Sequence, residues 1–286
     1  MKYLIVKGAL GFGDRLQSLK MCVRYAQIHN LQIYVDWTDP SWSHNGESFY
    51  TYFKLVNIPL LNSIDDIPQD ATVYPSIWKD YLKGYPPVDL GVSNTEITMN
   101  YIQDQVFPAD VIVYLCNGWR YIYADSSFFG NVFRVVDPRI IEKVRHKAQR
   151  YELRSCIGIH LRGTDRATKI DKSHRMAGIN IRMMTMGLLN GTKFVGVSDD
   201  PEFVAIWKGR YNFPILTEVG NLGGKEGVHN KSKDSLTVTK DQLNIDLLVD
   251  FFTLAACKSI LSTSKDSRFA QEAERLSKYF SVILNL

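Results

Sequence analysis

Two short clusters carry residue types suited to holding a phosphate, and each directly follows an apolar run. The first is Gly8-Ala9-Leu10-Gly11-Phe12-Gly13-Asp14-Arg15. It lies between an expected strand and an expected helix, so the amides of Gly11, Phe12 and Gly13 can meet an anion at a helix N-terminus. Its spacing is not the G-x-G-x-x-G order, but Asp36 ends the next strand at the distance where a dinucleotide fold keeps its ribose-binding acid. A tight turn that needs glycine only for backbone freedom is the plainer reading. The second cluster is His160-Leu161-Arg162-Gly163-Thr164-Asp165-Arg166. Period-two alternation sends His160 and Arg162 to one side of the chain. Arg162 can fork onto a diphosphate, with Asp165 to orient it. The alternative is a surface ion pair.

Two more segments hold chemistry-bearing residues. Asp250 sits inside Leu247-Leu248-Val249-Asp250-Phe251-Phe252, and an acid in so apolar a run must be paired or hydrogen-bonded. A carboxylate there can accept from the N1–H and N2 amino group of guanine, or it can be a capping or core ion-pair acid. Ser262-Thr263-Ser264-Lys265-Asp266-Ser267-Arg268-Phe269 is another expected strand-to-helix loop, whose hydroxyls and amides suit a phosphate. Ordinary N-capping explains the same residues.

The elements that must position these groups alternate between strand and helix in both halves. Tyr3–Val6, a glycine loop through Gly13, a helix over 16–28 and a strand over 31–35 make a β-α-β unit. A strand is expected at 111–115 and a polar, Arg- and Lys-rich helix at 138–151. The second half repeats the rhythm, with strands at 157–161, 193–197, 213–216 and 259–261. Its helices are expected at 179–189, 202–210, 242–257 and 268–278, with a last strand at 282–284 closing the sheet. The stretch 220–233 reads as a Gly- and Lys-rich loop. Residues 38–105 are irregular and aromatic; their rings suit sugar faces or simply fill hydrophobic volume. In open α/β sheets ligands sit outside the carboxyl ends of strands, where the polar clusters stand.

The whole chain narrows the class. It has 286 residues, 45% hydrophobic and 22% charged, with 34 basic against 30 acidic side chains. That charge is too balanced to argue for nucleic acid. No run reaches the roughly 18 apolar residues of a membrane span, and the N-terminal apolar run is too short for a signal sequence. A cytoplasmic protein is expected, with Cys22, Cys116, Cys156 and Cys257 as buried free thiols.

Together these segments resemble one family, the rhizobial nodulation fucosyltransferases and, more distantly, the core α1,6-fucosyltransferases and protein O-fucosyltransferases. Gly11 to Leu19, Arg24-Tyr25-Ala26 and Val35-Asp36-Trp37 are similar to the N-terminal segment of the nodulation enzymes. His160-Leu161-Arg162 with Thr164-Asp165 resembles the H-x-R-R-T-D motif of the wider group. Leu248-Val249-Asp250, Leu254-Ala255, Cys257, Ser267 and Phe269 look like the last donor motif. The resemblance implies a GT-B-like α/β architecture, with two Rossmann-like domains facing across a cleft. Residues 1–150 would form the acceptor side and 151–286 the donor domain. It further implies a transferase that moves fucose from GDP-fucose to an oligosaccharide or glycoprotein acceptor, with inversion and no metal or other cofactor. By position, Arg162 would bind the diphosphate and stabilise the leaving GDP. His160 and Asp250 would hold guanine and ribose. Gly11, Phe12, Gly13, Ser264, Ser267, Arg268 and Phe269 would complete the donor contacts.

The chain departs from that pattern at two places. Gly163 stands where the motif has its second arginine. The glutamate that serves the core enzymes as base is absent from Ala167-Thr168-Lys169-Ile170. Asp171 lies near, and Asp14 lies across the expected cleft; with Asp165 they are the carboxylates available as base. Another GDP- or UDP-sugar as donor, an NAD(P)-dependent oxidoreductase built on the first β-α-β unit, and an inactive glycan- or nucleotide-binding module are the competing readings.

Overall fold

The computed structural model describes residues 2–87, 106–115, 129–163, 172–187, 190–219 and 233–286. The chain divides into two compact units, Met1–Val136 with Asn285 and Asp137–Leu284 with Leu286. The Arg- and Lys-rich helix at 138–150 thus belongs to the second unit.

In the first unit β1 (Tyr3–Lys7) leads to α1 (Phe12–His29) and β2 (Gln32–Asp36). Helix α1 begins four residues before its expected start, so Gly13 is helical and only Gly8 to Gly11 form the turn. Phe12 is the reason: it is buried and stacks on Trp42 and Phe53 at 6.0 and 5.7 Å, which draws the first turn into the core. Asn30, left-handed at φ 51°, ends the helix. Next come α2 (Phe49–Tyr52), β3 (Phe53–Leu55), β4 (Val73–Tyr74), β5 (Val111–Leu115), α3 (Phe129–Val132) and β6 (Phe133–Val135). Strands β2-β1-β5-β4 form a parallel sheet, with Tyr3 beside Gln32 and Val111. Strands β3 and β6 pair antiparallel, Phe53 opposite Val135. One core gathers Ile5, Val111, Val113, Leu115 and Trp78.

The second unit runs α4 (Pro138–Arg150), β7 (Ile157–Leu161), α5 (Lys172–Thr185), β8 (Phe194–Ser198), α6 (Pro201–Arg210), α7 (Lys240–Ala255), β9 (Ser259–Ser262), α8 (Arg268–Leu276) and α9 (Phe280–Leu284). Its parallel sheet has the order β8-β7-β9, with Ile157 beside Phe194 and Ser259. Met176, Ile179 and Met183 of α5 and Phe203 and Trp207 of α6 pack with Ile157, Ile159 and Leu161 of β7.

Three further expectations change. Helix α5 starts seven residues and ends four residues earlier than its pattern suggested, because Met176, Ile179 and Met183 set its buried stripe and Gly187 takes φ 97° just past its end. The expected strand at 213–216 reduces to a single bridge between Ile215 and Gly196, Pro214 having no amide to extend a ladder. The expected last strand is helical: Phe280, Ile283 and Leu284 are buried at i, i+3 and i+4. Cys22, Cys156 and Cys257 are buried and free, whereas Cys116 lies outside the described residues. Among the described residues no helix is long and apolar enough to cross a membrane.

Candidate functional site

Strand β7 connects through α5 to β8 on one side, and the chain later returns as β9 on its other side. Its carboxyl end is therefore a topological switch point, the place where open α/β sheets leave a crevice for ligands. The residues around that end are His160 in β7 and Arg162 just after it, Asp199 and Asp200 after β8, and Ser262 at the end of β9 with Thr263 and Ser264 following.

A lattice of hydrogen bonds fixes them. The Arg162 amide donates to Thr263 Oγ1 at 2.8 Å, and the Thr263 amide to the His160 carbonyl at 3.0 Å. Arg162 Nη1 donates to Asp199 Oδ2 at 2.7 Å, and the Gly163 amide to Asp199 Oδ1 at 2.8 Å. His160 Nδ1 lies 3.3 Å from Ser262 Oγ and 3.2 Å from Ser267 Oγ, and its ring stacks on Phe269 at 5.3 Å. Ser267 also caps α8 through Ala270, so the imidazole is tied to that helix N-terminus. Thr263, Ser264, Arg268 and Phe269 remain partly exposed.

Burial sets the charge states. It pushes His160 down to about 4, opposed by the Asp199 charge and aided by that of Arg162, so the imidazole is neutral near pH 7. Asp250 goes the other way, raised to about 7, again chiefly by burial. Its two oxygens accept from the amides of Glu218 at 2.7 Å and Val219 at 3.2 Å. Asp250 is thus a buried acid, 3% exposed, that holds the backbone of residues 218 and 219.

Gly163 has a local explanation. A Cβ there would stand 2.2 Å from Asp200 Oδ2 and 2.3 Å from Asp200 Cβ. Asp200 in turn caps α6 through the amides of Glu202 and Phe203 and pairs with Lys172 at 2.7 Å. No side chain of any length fits at position 163 without moving Asp200.

The first glycine cluster is built differently. Lys7, fully buried, donates to Asp36 Oδ2 at 2.5 Å and to the carbonyls of Leu82 and Gly84. The Tyr85 hydroxyl accepts from the Gly8 amide at 3.0 Å. Arg15 reaches Asp39 and Ser41 at 2.7 Å each and lies over the rings of Trp37 and Trp42. A Cβ on Gly8 would meet Arg15 Nη1 at 1.8 Å, so this glycine allows a close approach within the protein.

Of the residues singled out in the sequence, His160, Arg162, Ser264, Ser267, Arg268 and Phe269 gather around the β7–β9 edge. Asp250 holds Glu218 and Val219, just past Thr217, whose Oγ1 accepts from the Ser198 amide at the end of β8. Gly11 caps α1, Phe12 and Gly13 are buried in its first turn, and Asp14 is half-buried there. Asp165 and Asp171 lie outside the described residues. Asp199 was not singled out as a site residue, whereas Ser262 and Thr263 belong to the loop read as suited to a phosphate. The available signal was an acid pair directly after a parallel strand. Among the described residues no three His, Cys, Asp or Glu side chains converge as metal ligands.

No family model and no curated protein matches this sequence. Solved structures do match in fold. A fucosyltransferase NodZ from Bradyrhizobium superposes with a TM-score of 0.64 at 15% identity, over 96% of this chain and 92% of that one. A NodZ α1,6-fucosyltransferase soaked with GDP-fucose gives 0.61 at 14%, over 99% and 93%. An Arabidopsis thaliana FUT1 variant in complex with GDP gives 0.54 at 14%, over 97% and 69%. The chain therefore has a mixed α/β fold with parallel sheets, shared with these fucosyltransferases.

Proposed function

We propose that the chain is a glycosyltransferase that takes a sugar from a nucleoside diphosphate. The donor is GDP-fucose and the acceptor a glycan, transfer inverts the anomeric carbon, and no metal takes part. The observation that carries this reading is Arg162, held at the β7 switch point by Thr263 and Asp199, with His160 two residues before it fixed on the Ser262 and Ser267 hydroxyls. The shared fold with enzymes captured with GDP and GDP-fucose supports it. A GT-B-like architecture, with the donor bound by residues 151–286, belongs to the same proposal.

The chemistry follows from these groups. As the bond from the anomeric carbon to the diphosphate oxygen breaks, negative charge develops on the leaving GDP. Arg162 and the amides and hydroxyls of the 262–268 loop stabilise it without reorganising. A neutral His160, fixed on two serine hydroxyls, serves as a hydrogen-bonding wall for the nucleoside. The acceptor hydroxyl needs a carboxylate within hydrogen-bond reach, and Asp14, Asp165 and Asp171 are the groups offered. The oxidoreductase alternative draws no support from the first unit, where Asp36 is 4% exposed and already paired with Lys7.

Calorimetry with GDP, UDP and NAD⁺ in EDTA tests the reading. GDP is expected to bind, and NAD⁺ is not. A preference for UDP would replace the donor, and binding of NAD⁺ alone would overturn the transferase. Arg162→Ala should lower GDP release from GDP-fucose by about 10²–10³-fold, the range for a lost oxyanion donor. Near-normal turnover would remove the mechanism, and binding without any turnover would mark a binding module.

A further inference from the structure

We propose that Asp199 is a positioning residue that sets the direction of the Arg162 guanidinium; this rests on the glycosyltransferase reading above. Its two carboxylate oxygens are divided between successive residues of one turn. Oδ2 takes Arg162 Nη1 at 2.7 Å and Oδ1 takes the Gly163 amide at 2.8 Å. Side-chain exposure is low for both partners, 20% for Arg162 and 11% for Asp199. The same turn is closed from a second direction by Asp200, whose side chain occupies the space over Gly163 and is itself fixed by α6 and Lys172. An acid at the end of β8 thus fixes both backbone and side chain of the residue expected to meet the diphosphate.

Two physical effects of Asp199 oppose each other. Its charge cancels part of the Arg162 field, which weakens attraction for an anion. Its hydrogen bond fixes a long, rotatable side chain before the ligand arrives, which removes an ordering cost from binding. The burial of the pair and the bond to Gly163 favour orientation as the larger effect. Asn at 199 removes both effects together, so the sign of the change in GDP affinity shows which is larger. Its oxygen can still take the Gly163 amide, while its NH₂ group turns a donor toward the guanidinium.

The test is a double-mutant cycle on GDP affinity, with guanosine as the phosphate-free control. Asp199→Asn should weaken GDP about 10-fold and leave guanosine unchanged, a selectivity that general loosening of the fold does not produce. Added to Arg162→Ala, it should cost less than about twofold more, because coupled residues are non-additive. Multiplied losses in the double variant would overturn the proposal, as would equal or tighter GDP binding by Asp199→Asn. Should that variant fail to fold, guanidinium salt at millimolar concentration should restore GDP binding to Arg162→Ala by docking on Asp199, and no restoration would overturn it. Failure of the wild-type protein to bind GDP, UDP or inorganic pyrophosphate would instead retire the glycosyltransferase reading itself.

Discussion

Strands β1 and β7 hold the same place in their sheets. Each has its next strand on one side and a later strand on the other, β2 and β5 around β1, β8 and β9 around β7. Each is followed by a glycine and an arginine. At β1 the charges are sealed in: Lys7, Asp36 and Arg15 are 0%, 4% and 1% exposed, and Tyr85 sits on the Gly8 amide. At β7 Arg162 and the residues after Ser262 keep part of their surface open. A glycine-rich turn between strand and helix therefore says little about phosphate until the partners of its amides have been counted. At the first turn the Gly8 amide and the Lys7 and Arg15 side chains bond to the protein's own groups; the second presents an arginine and hydroxyls at an accessible edge.

The comparison breaks most sharply at Asp36. Its removal by Asp36→Ala strands the buried Lys7 ammonium, whose pKa burial already lowers. Losing one member of a buried pair costs about 3–5 kcal/mol. Urea denaturation should show a loss of that size, while the GDP affinity of the folded fraction stays within about twofold of wild type. A collapse of GDP affinity with stability intact would show that the β1 end is a ligand site after all.

Gly163→Ala sharpens the same contrast from the other side. Its Cβ would fall on Asp200, which is held at both ends, so a shift of the 162–163 turn is the expected relief. Overpacking of this kind costs about 1–3 kcal/mol, and the displaced turn should also weaken GDP. The pair Gly163→Ala and Asp200→Gly should recover GDP affinity relative to Gly163→Ala alone. If Gly163→Ala binds GDP and melts as wild type does, the close approach has no consequence.

The second unit was the more legible of the two. Strands 157–161 and 259–261 were readable as apolar runs bounded by polar turns, and His160, Arg162 and Ser267 stood at their ends. Asp199 escaped because its importance lies in a contact across 37 residues, which no local pattern encodes. The role of Asp36 was misleading for the opposite reason. Its spacing from the glycines was suggestive, but Lys7 and the 82–85 segment decide what it touches. Helix α5 was misplaced because its pattern was sought around Ile179 to Leu189, whereas Met176 carries the first buried turn. The last strand failed on period: three apolar residues near a terminus fit either element until Phe280 joins them at helical spacing.

The smallest expected effect comes from two buried groups of the second unit that titrate in opposite directions. His160 is pushed down to about 4 by burial. The unfolded chain takes up that proton near 6.5 and the folded chain does not, so stability falls as pH drops from 6.5 toward 4. Asp250 is raised to about 7, so the folded chain takes a proton that the unfolded chain refuses until near 3.9. That contribution makes stability rise as pH drops through the same window, and the two partly cancel. Asp250→Asn should lower the melting temperature at every pH, because one of the amides of Glu218 and Val219 loses its acceptor. Its slope is the informative part: the variant should lose more melting temperature between pH 7 and pH 5 than wild type does, by a few degrees at most. His160→Gln should lose less. Parallel pH curves for all three proteins would mean that neither group is sealed from water as tightly as its packing against Ser262, Ser267, Glu218 and Val219 requires.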